Sequence, residues 1–293
     1  MDSITMENVL IKSKLGTICD LLKNCFTILT KIRENSKNSR EFSVLIYKIC
    51  CVIIDAISFL HKYRKKYMSE RQFNIICGHY GCGKSNYSIN LAMEMAKEGR
   101  KVMLVDLDLV NPYFLSSGYK DMLEQNNIKV IAPLFANTNV ETPALPADLN
   151  LIFETDMDVV MDLGGDDAGA VVLGRYASQI AAIDYEMTYL VNKYRNLTST
   201  VDDTVEIIKE IEAASRCKAT KVINNSHLKF ETTFKVIEES VEYAKGVAKE
   251  LGLPFMGSTI PDFLLEDEDV KKKVETSEEI YFPVKIYVRA PWE

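Results

Sequence analysis

The sequence predicts an α/β fold, a mostly parallel sheet with helices on both faces, preceded by an N-terminal α-helical hairpin. Three observations carry that prediction. Past Gln72, short β-rich runs alternate with amphipathic helical stretches. The runs are apolar almost without interruption, as strands covered on both faces must be. Residues 1–69 carry two apolar seams of helical period instead.

In the first seam Ile11, Leu15, Ile18, Leu22, Cys25, Leu29 and Ile32 alternate spacings of four and three. ENSKNSR (34–40) is polar and turn-like, and Asn38 with Glu41 offers an N-cap and its reciprocal partner. The second seam runs through Phe42, Leu45, Ile49, Val52, Ala56, Phe59 and Tyr63. Two such helices joined by a short polar link form an antiparallel hairpin. The second helix is also apolar off its seam, at Val44, Ile46, Cys50, Ile53, Ile54 and Ile57. One neighbouring helix cannot cover all of that, so a further contact is expected: the downstream domain, a second protomer or another protein. A membrane is the rival, because Val44–Leu60 is apolar and a basic cluster (61–66) follows it. Lys48 and Asp55 interrupt the run, which sits at the short limit for a span, so packing is preferred.

The expected division is a hairpin over 1–69 and a nucleotide-binding domain over 70–293. In the second part FNIIC (73–77), KVMLV (101–105), KVIAP (129–133), DVVMD (158–162), MTYLV (187–191), KVIN (221–224) and VKIYV (284–288) read as strands. Stretches 86–98, 198–215 and 232–251 read as helices between them.

Composition narrows the function classes. The 293 residues are 47% hydrophobic and 26% charged, with a net charge of -7, an acidic balance that argues against nucleic acid as the main partner. Seven cysteines lie scattered without a framework spacing, and Met1–Glu7 lacks the basic start of a secretory signal. A cytoplasmic setting with free thiols is expected.

The sharpest signal is Gly78-His79-Tyr80-Gly81-Cys82-Gly83-Lys84-Ser85, which fits G-x-x-x-x-G-K-[ST] after a strand and at the opening of a helix. Glycines let backbone N–H groups of such a loop wrap a phosphate, and the helix start adds its positive dipole end. Gly78, Gly81, Cys82, Gly83, Lys84, Ser85 and Asn86 are the candidate binding residues. Lys84 would reach the β- and γ-phosphates, and the Ser85 hydroxyl would ligate Mg²⁺. The competing bland reading is a glycine-rich turn that binds nothing. A second group supports the first: the 101–105 strand ends in Asp106-Leu107-Asp108, and the 158–162 strand runs into Asp162-Leu163-Gly164-Gly165. The carboxyl ends of parallel strands share one edge, so both acidic groups belong beside the loop. Asp162 is the candidate Mg²⁺ carboxylate, and Asp106 or Asp108 would position the attacking water. Gly165 would offer its N–H to the γ-phosphate, while Asp166 or Asp167 read as helix caps.

These residues resemble the MinD/ParA group of ATPases, the CobQ/CobB/MinD/ParA nucleotide-binding domain, over about Phe73 to Pro261. The likeness rests on GHYGCGKS, KVMLVDLDLVNPYF (101–114), DVVMDLGG (158–165), NLTSTVDDTVEIIKEI (196–211), VINN (222–225) and MGSTIP (256–261). A bacterial subgroup with DLD-x-VNPYF, GGDDAGA and a terminal PW is more similar still. The resemblance implies that Asn224 contacts the base, that Pro261 and Asp262 lie near it, and that ATP and Mg²⁺ are the cofactors. One departure concerns the lysine which the family carries after its first glycine and which reaches a partner's nucleotide. Here that position is His79. Either His79 substitutes for it or the cross-dimer contact is missing. Asn192-Lys193-Tyr194-Arg195 begins like the guanine-reading N-K-x-D but lacks its Asp, which favours ATP.

The leading expectation is a Mg²⁺-dependent ATPase acting as a nucleotide-gated switch or chaperone for a protein partner, docked through the hairpin. The rival is an ATP-dependent phosphotransferase or ligase for a small molecule, for which Arg175 and Arg195 could line an acceptor pocket. A metal-insertion role is a third reading; Cys77 and Cys82 flank the loop, but no C-x-x-C pair accompanies them.

Overall fold

The computed structural model describes residues 71–108, 120–132, 147–165 and 167–288. The expected hairpin, Asp166 and the terminal PW lie outside these residues. Eight strands, β1 (Phe73–Cys77), β2 (Val102–Asp106), β3 (Ile128–Ile131), β4 (Asp158–Asp162), β5 (Glu186–Val191), β6 (Lys221–Asn224), β7 (Phe255–Pro261) and β8 (Tyr281–Val284), form one sheet. Their order is β3-β2-β4-β1-β5-β6-β7-β8, and every pairing is parallel. The α/β expectation therefore holds for the described residues.

Helices cover the sheet, among them α1 (Lys84–Lys97), α2 (Asp167–Gly174), α3 (Val201–Ser215) and α4 (Phe234–Leu251). Strand alternation sorts the core between the two faces. Phe73, Ile75 and Cys77 of β1, with Met103, Val105, Val159 and Met161, pack into one cluster with Leu173 of α2, Ile208 of α3 and Val247 of α4. Val102, Leu104 and Val160 turn the other way, toward the side where α1 packs on β2 and β4. That helix buries Tyr87, Ile89, Ala92, Met93 and Met95.

Helix starts fall where a side chain can satisfy the first free N–H groups. Thr200 accepts from Asp203 N and Thr233 from Val236 N, so α3 and α4 begin at 201 and 234, slightly inside the expected stretches. The last expected strand is displaced. VKIYV (284–288) has strand-like alternation, yet β8 ends at Val284. Its neighbour β7 ends at Pro261, which pairs with Val284, and nothing beyond offers a ladder. Pro283 is tolerated because β8 is an edge strand.

At the amino ends of the strands Arg100 grips Asp158 at the start of β4. Its Nη2 donates to Oδ1 at 2.6 Å, and Nε donates to Oδ2. Both side chains are over nine-tenths buried, and Gln72 N also donates to Asp158. Removing one partner of such a pair leaves a buried charge alone. Arg100→Ala should cost about 3–5 kcal/mol in chemical denaturation. Nucleotide affinity should stay unchanged, because the pair lies at the end of the strands away from the phosphate loop.

Candidate functional site

Carboxyl ends of parallel strands meet at one edge, and here they deliver the candidate residues. β1 runs into the glycine loop, β2 ends in Asp106, β4 in Asp162, β6 in Asn224, β7 in Pro261 and β8 in Val284. Between them lies a cavity of about 290 Å³. Its phosphate-loop end is lined by Tyr80, Gly81, Gly83, Lys84, Ser85, Asn86 and Asp108. Arg195, Asn225, His227, Lys229 and Thr259 line one wall, and Pro261, Val284, Ile286 and Val288 form an apolar one.

The loop is held from below and from the side. Cys82 N donates to His79 O at 3.2 Å, and Tyr87 N to Gly83 O at 3.0 Å begins α1. Gly83 has φ 89°, and a Cβ there would fall 2.4 Å from Asn225 Nδ2 and 2.9 Å from His227 Nε2. No side chain fits. Asn225 Nδ2 donates to Cys82 O at 2.6 Å, and its Oδ1 accepts from Thr259 Oγ1. Arg195 Nε donates to Gly81 O at 2.8 Å, so the guanidinium lies over the loop. Cys82 turns its thiol under the loop, against Gly78, and burial raises its pKa. It is no nucleophile at neutral pH.

Lys84 is buried, its Nζ donating to His79 O at 3.2 Å. Gly165 sits against the same ammonium: a Cβ there would lie 2.8 Å from Lys84 Nζ and 2.7 Å from Tyr80 N. The loop after β4 therefore touches the phosphate loop backbone.

Asp106 and Asp162 stand side by side on paired strands and are 2% and 4% exposed. Burial pushes the Asp106 carboxyl well up, and the neighbouring Asp162 pushes it further; Asp108 N, donating to Oδ1 at 2.9 Å, opposes this. Burial likewise raises Asp162 to about 6, although hydrogen bonds from Ser85 and Ser88 and the Lys84 charge draw it back. Ser85, Asp162 and Asp106 present hard oxygen atoms next to a phosphate cradle, a donor set that fits Mg²⁺. Among the described residues no group of three or more His, Cys, Asp or Glu gathers as a ready metal site. A Mg²⁺ ion there would complete its shell with phosphate oxygens and water.

Other candidates fall elsewhere. Asn224 lies below the cavity, with Nδ2 donating to Ser240 Oγ and Ser258 Oγ at 2.9 Å each, and Oδ1 accepting from Ser226 N. The next residue, Asn225, faces the cavity instead. Consecutive residues at a strand end point to opposite sides, so VINN cannot say which asparagine does so. Pro261 lines the cavity, whereas Asp262 opens the turn after it, near Tyr287. Asn192 is buried in a turn of its own, its Oδ1 accepting from Tyr194 N at 3.0 Å and its Nδ2 donating to His227 O at 3.4 Å. Asn192 is thus engaged within its own turn and is not among the cavity-lining residues. Arg175 is exposed and outside the cavity lining, unlike Arg195.

His227 was not singled out by the sequence. Its Nδ1 accepts from Lys229 N at 3.2 Å, which leaves the proton on the Nε2 facing Gly83. Burial, with Arg195 and Lys229 nearby, lowers its pKa to about 4, so it is a neutral donor at pH 7. His79, its Nδ1 3.0 Å from Tyr80 O, is also lowered, chiefly by burial and further by Lys84.

A profile of the CobQ/CobB/MinD/ParA nucleotide-binding domain matches residues 75–280. The chain belongs to that family. No curated protein matches it in a sequence comparison. Among solved structures it is similar to the signal recognition particle receptor FtsY from Elizabethkingia anophelis in complex with GDP, at 18% identity and a TM-score of 0.42, covering 65% of this chain and 57% of that one. The cell division protein FtsY from Thermotoga maritima is similar at 17% identity and a TM-score of 0.44, over 72% and 70%. The 54 kDa signal recognition particle protein from Aeropyrum pernix, in complex with GDP, is similar at 14% identity and 0.44, over 82% and 54%. The chain thus spans a little over half the length of the first of these. Family membership makes it a nucleotide-binding domain of the P-loop NTPase class. No described helix is long and apolar enough to cross a membrane.

Proposed function

We propose that the chain binds ATP with Mg²⁺ in this cavity and hydrolyses it, the γ-phosphate state setting the conformation of the loops after Asp106 and Asp162. One observation carries the reading: the glycine loop, Lys84, Ser85 and Asp108 line a cavity that also has an apolar wall, and the paired Asp106 and Asp162 stand behind Lys84 and Ser85. Lys84 and the loop amides hold the β- and γ-phosphates, and Ser85 and Asp162 hold Mg²⁺. Asp108 or Asp106 orients the attacking water. Gly165, already against Lys84, carries an N–H that meets the γ-phosphate only when that group is present. Differential contact of this kind makes a switch. Residues 1–69 are assigned to docking a protein partner or a second copy.

Adenine is preferred over guanine because Asp108 is the sole carboxylate among the described lining residues, and it stands at the phosphate-loop end. Guanine needs an acceptor for its ring N–H and amino group, and Asn192 is engaged elsewhere. A neutral His79 supplies no charge to a facing nucleotide, so catalysis draws on this chain's own cations.

Arg195 favours a second reading, a phosphotransferase or ligase, because it brings a guanidinium to the cavity wall. Turnover with Mg²⁺ discriminates. ATP consumed at least about tenfold faster than GTP, without added metabolite, supports the switch. Consumption that begins only with an anionic acceptor supports the transferase, and GTP preference contradicts the base assignment.

A further inference from the structure

Past Val284 the chain has left the sheet, yet its backbone is tied down. The ties come from two asparagines one turn apart on α1, the helix that opens with Lys84 and Ser85. Lys285 N donates to Asn90 Oδ1 at 2.8 Å, and Asn90 Nδ2 donates back to Lys285 O at 2.8 Å. Asn86 Nδ2 donates to the same carbonyl at 3.0 Å, and Asn86 Oδ1 accepts from Tyr287 N at 2.7 Å and Val288 N at 3.2 Å. Asn90 Nδ2 also donates to Asn86 O at 2.7 Å, which fixes its carboxamide on the helix.

Alternation then decides what the segment presents. Ile286 and Val288 continue the apolar wall begun by Val284, whereas Lys285 is exposed and its ammonium lies 5.5 Å from the Tyr287 ring centroid. A stretch without ladder partners has no sheet hydrogen bonds to fix it. Here side-chain-to-backbone bonds replace the ladder and hold a hydrophobic surface against the cavity, anchored next to the phosphate loop through Asn86. Phosphates have no use for such a wall; a planar heterocycle does.

We propose that residues 285–288 are a strap closing over the base of the bound nucleoside triphosphate, and that Asn90 is a positioning residue that holds the strap shut. The inference rests on the nucleotide reading of the cavity. Asn90 is not among the lining residues, so it acts only through the strap. Because both anchors sit on α1, engagement of the phosphates and closure over the base share one rigid element. Release of nucleotide then requires the Lys285–Asn90 pair to break first.

The test separates base from phosphate. Dissociation of a ribose-labelled fluorescent ATP with Mg²⁺ is followed by stopped flow, and Mg²⁺–tripolyphosphate, which has the phosphates and no base, is titrated in parallel. Asn90→Leu, which removes both hydrogen bonds to the strap and the one to Asn86 O while keeping the branching of the side chain, should speed dissociation about tenfold and leave tripolyphosphate affinity unchanged. Ile286→Ser keeps the anchors, removes part of the wall, and should weaken the nucleotide selectively in the same way. It carries the test should Asn90→Leu fail to fold. An unchanged dissociation rate, or an equal loss for tripolyphosphate, overturns the strap. Wild-type protein that binds tripolyphosphate as tightly as ATP overturns the strap alone, and wild-type protein that binds neither overturns the nucleotide reading with it.

Discussion

Lys84→Ala should lower kcat/KM for Mg²⁺–ATP by about 100-fold or more, roughly 3 kcal/mol of transition-state stabilisation. The ammonium now rests on His79 O at the inner face of the loop, a carbonyl that a phosphate oxygen can replace at little cost. Charge on the transferring γ-phosphoryl group spreads over its oxygens, and a buried cation acts there in a water-poor site. Both KM and kcat should worsen. The variant must still fold, which a thermal melt checks. Its melting temperature should not rise, because Lys84 is also the cation that counters Asp106 and Asp162. Activity retained within a few fold would remove Lys84 from the machinery.

Asp162→Asn should separate stability from activity. The wild-type carboxyl is raised from 3.8 to about 6 by burial, so its ionised form opposes folding. Below pH about 4 the carboxyl is protonated in both folded and unfolded chains, and the penalty is absent. Between pH 4 and 6 the unfolded chain ionises first, and stability falls as pH rises; above 6 the full penalty applies. An amide carries no such charge, and it can donate to Asp106 while its carbonyl accepts from Ser88. At pH 7.5 without nucleotide the variant should be more stable by about 1–3 kcal/mol, a rise of roughly 5 °C in Tm. That gain should fade toward pH 4. Hydrolysis should drop about 100-fold or more, with the Mg²⁺ requirement shifted to higher concentration. A variant less stable than wild type at pH 7.5 would contradict the account of the acid pair.

Parts of this arrangement were legible because they are contiguous. FNIIC, DVVMD and KVIN coincide with β1, β4 and β6, being apolar runs stopped by Gly78, by the Leu163-Gly164-Gly165 turn and by Asn225. The loop and the two acids could be brought together from sequence alone, since a parallel sheet gathers strand ends; the structure pairs Asp106 with Asp162 beside Lys84. What escaped depends on tertiary partners. VKIYV reads as a strand by pattern, and only the length of β7 shows that it is not one. Asn224 and Asn225 differ by one residue of strand phase, which a run ending in two asparagines leaves undetermined. His227 and Ile286 come from segments far apart in the chain, and no local pattern marks either as a cavity residue, whereas Arg195, named beforehand, does line the cavity. The place expected for Asp262 came from the family resemblance alone; it opens the short helical turn after Pro261, close to Tyr287.

Equilibrium binding of ATP, titrated with Mg²⁺ and again with EDTA, bears most directly on the claim that the loop, Lys84 and the acid pair hold a metal–triphosphate. Saturation at micromolar ATP with Mg²⁺, weakened at least about tenfold by EDTA and lost in Lys84→Ala, is the expected result. No saturation at millimolar ATP or GTP, or binding indifferent to both Mg²⁺ and Lys84, would contradict it.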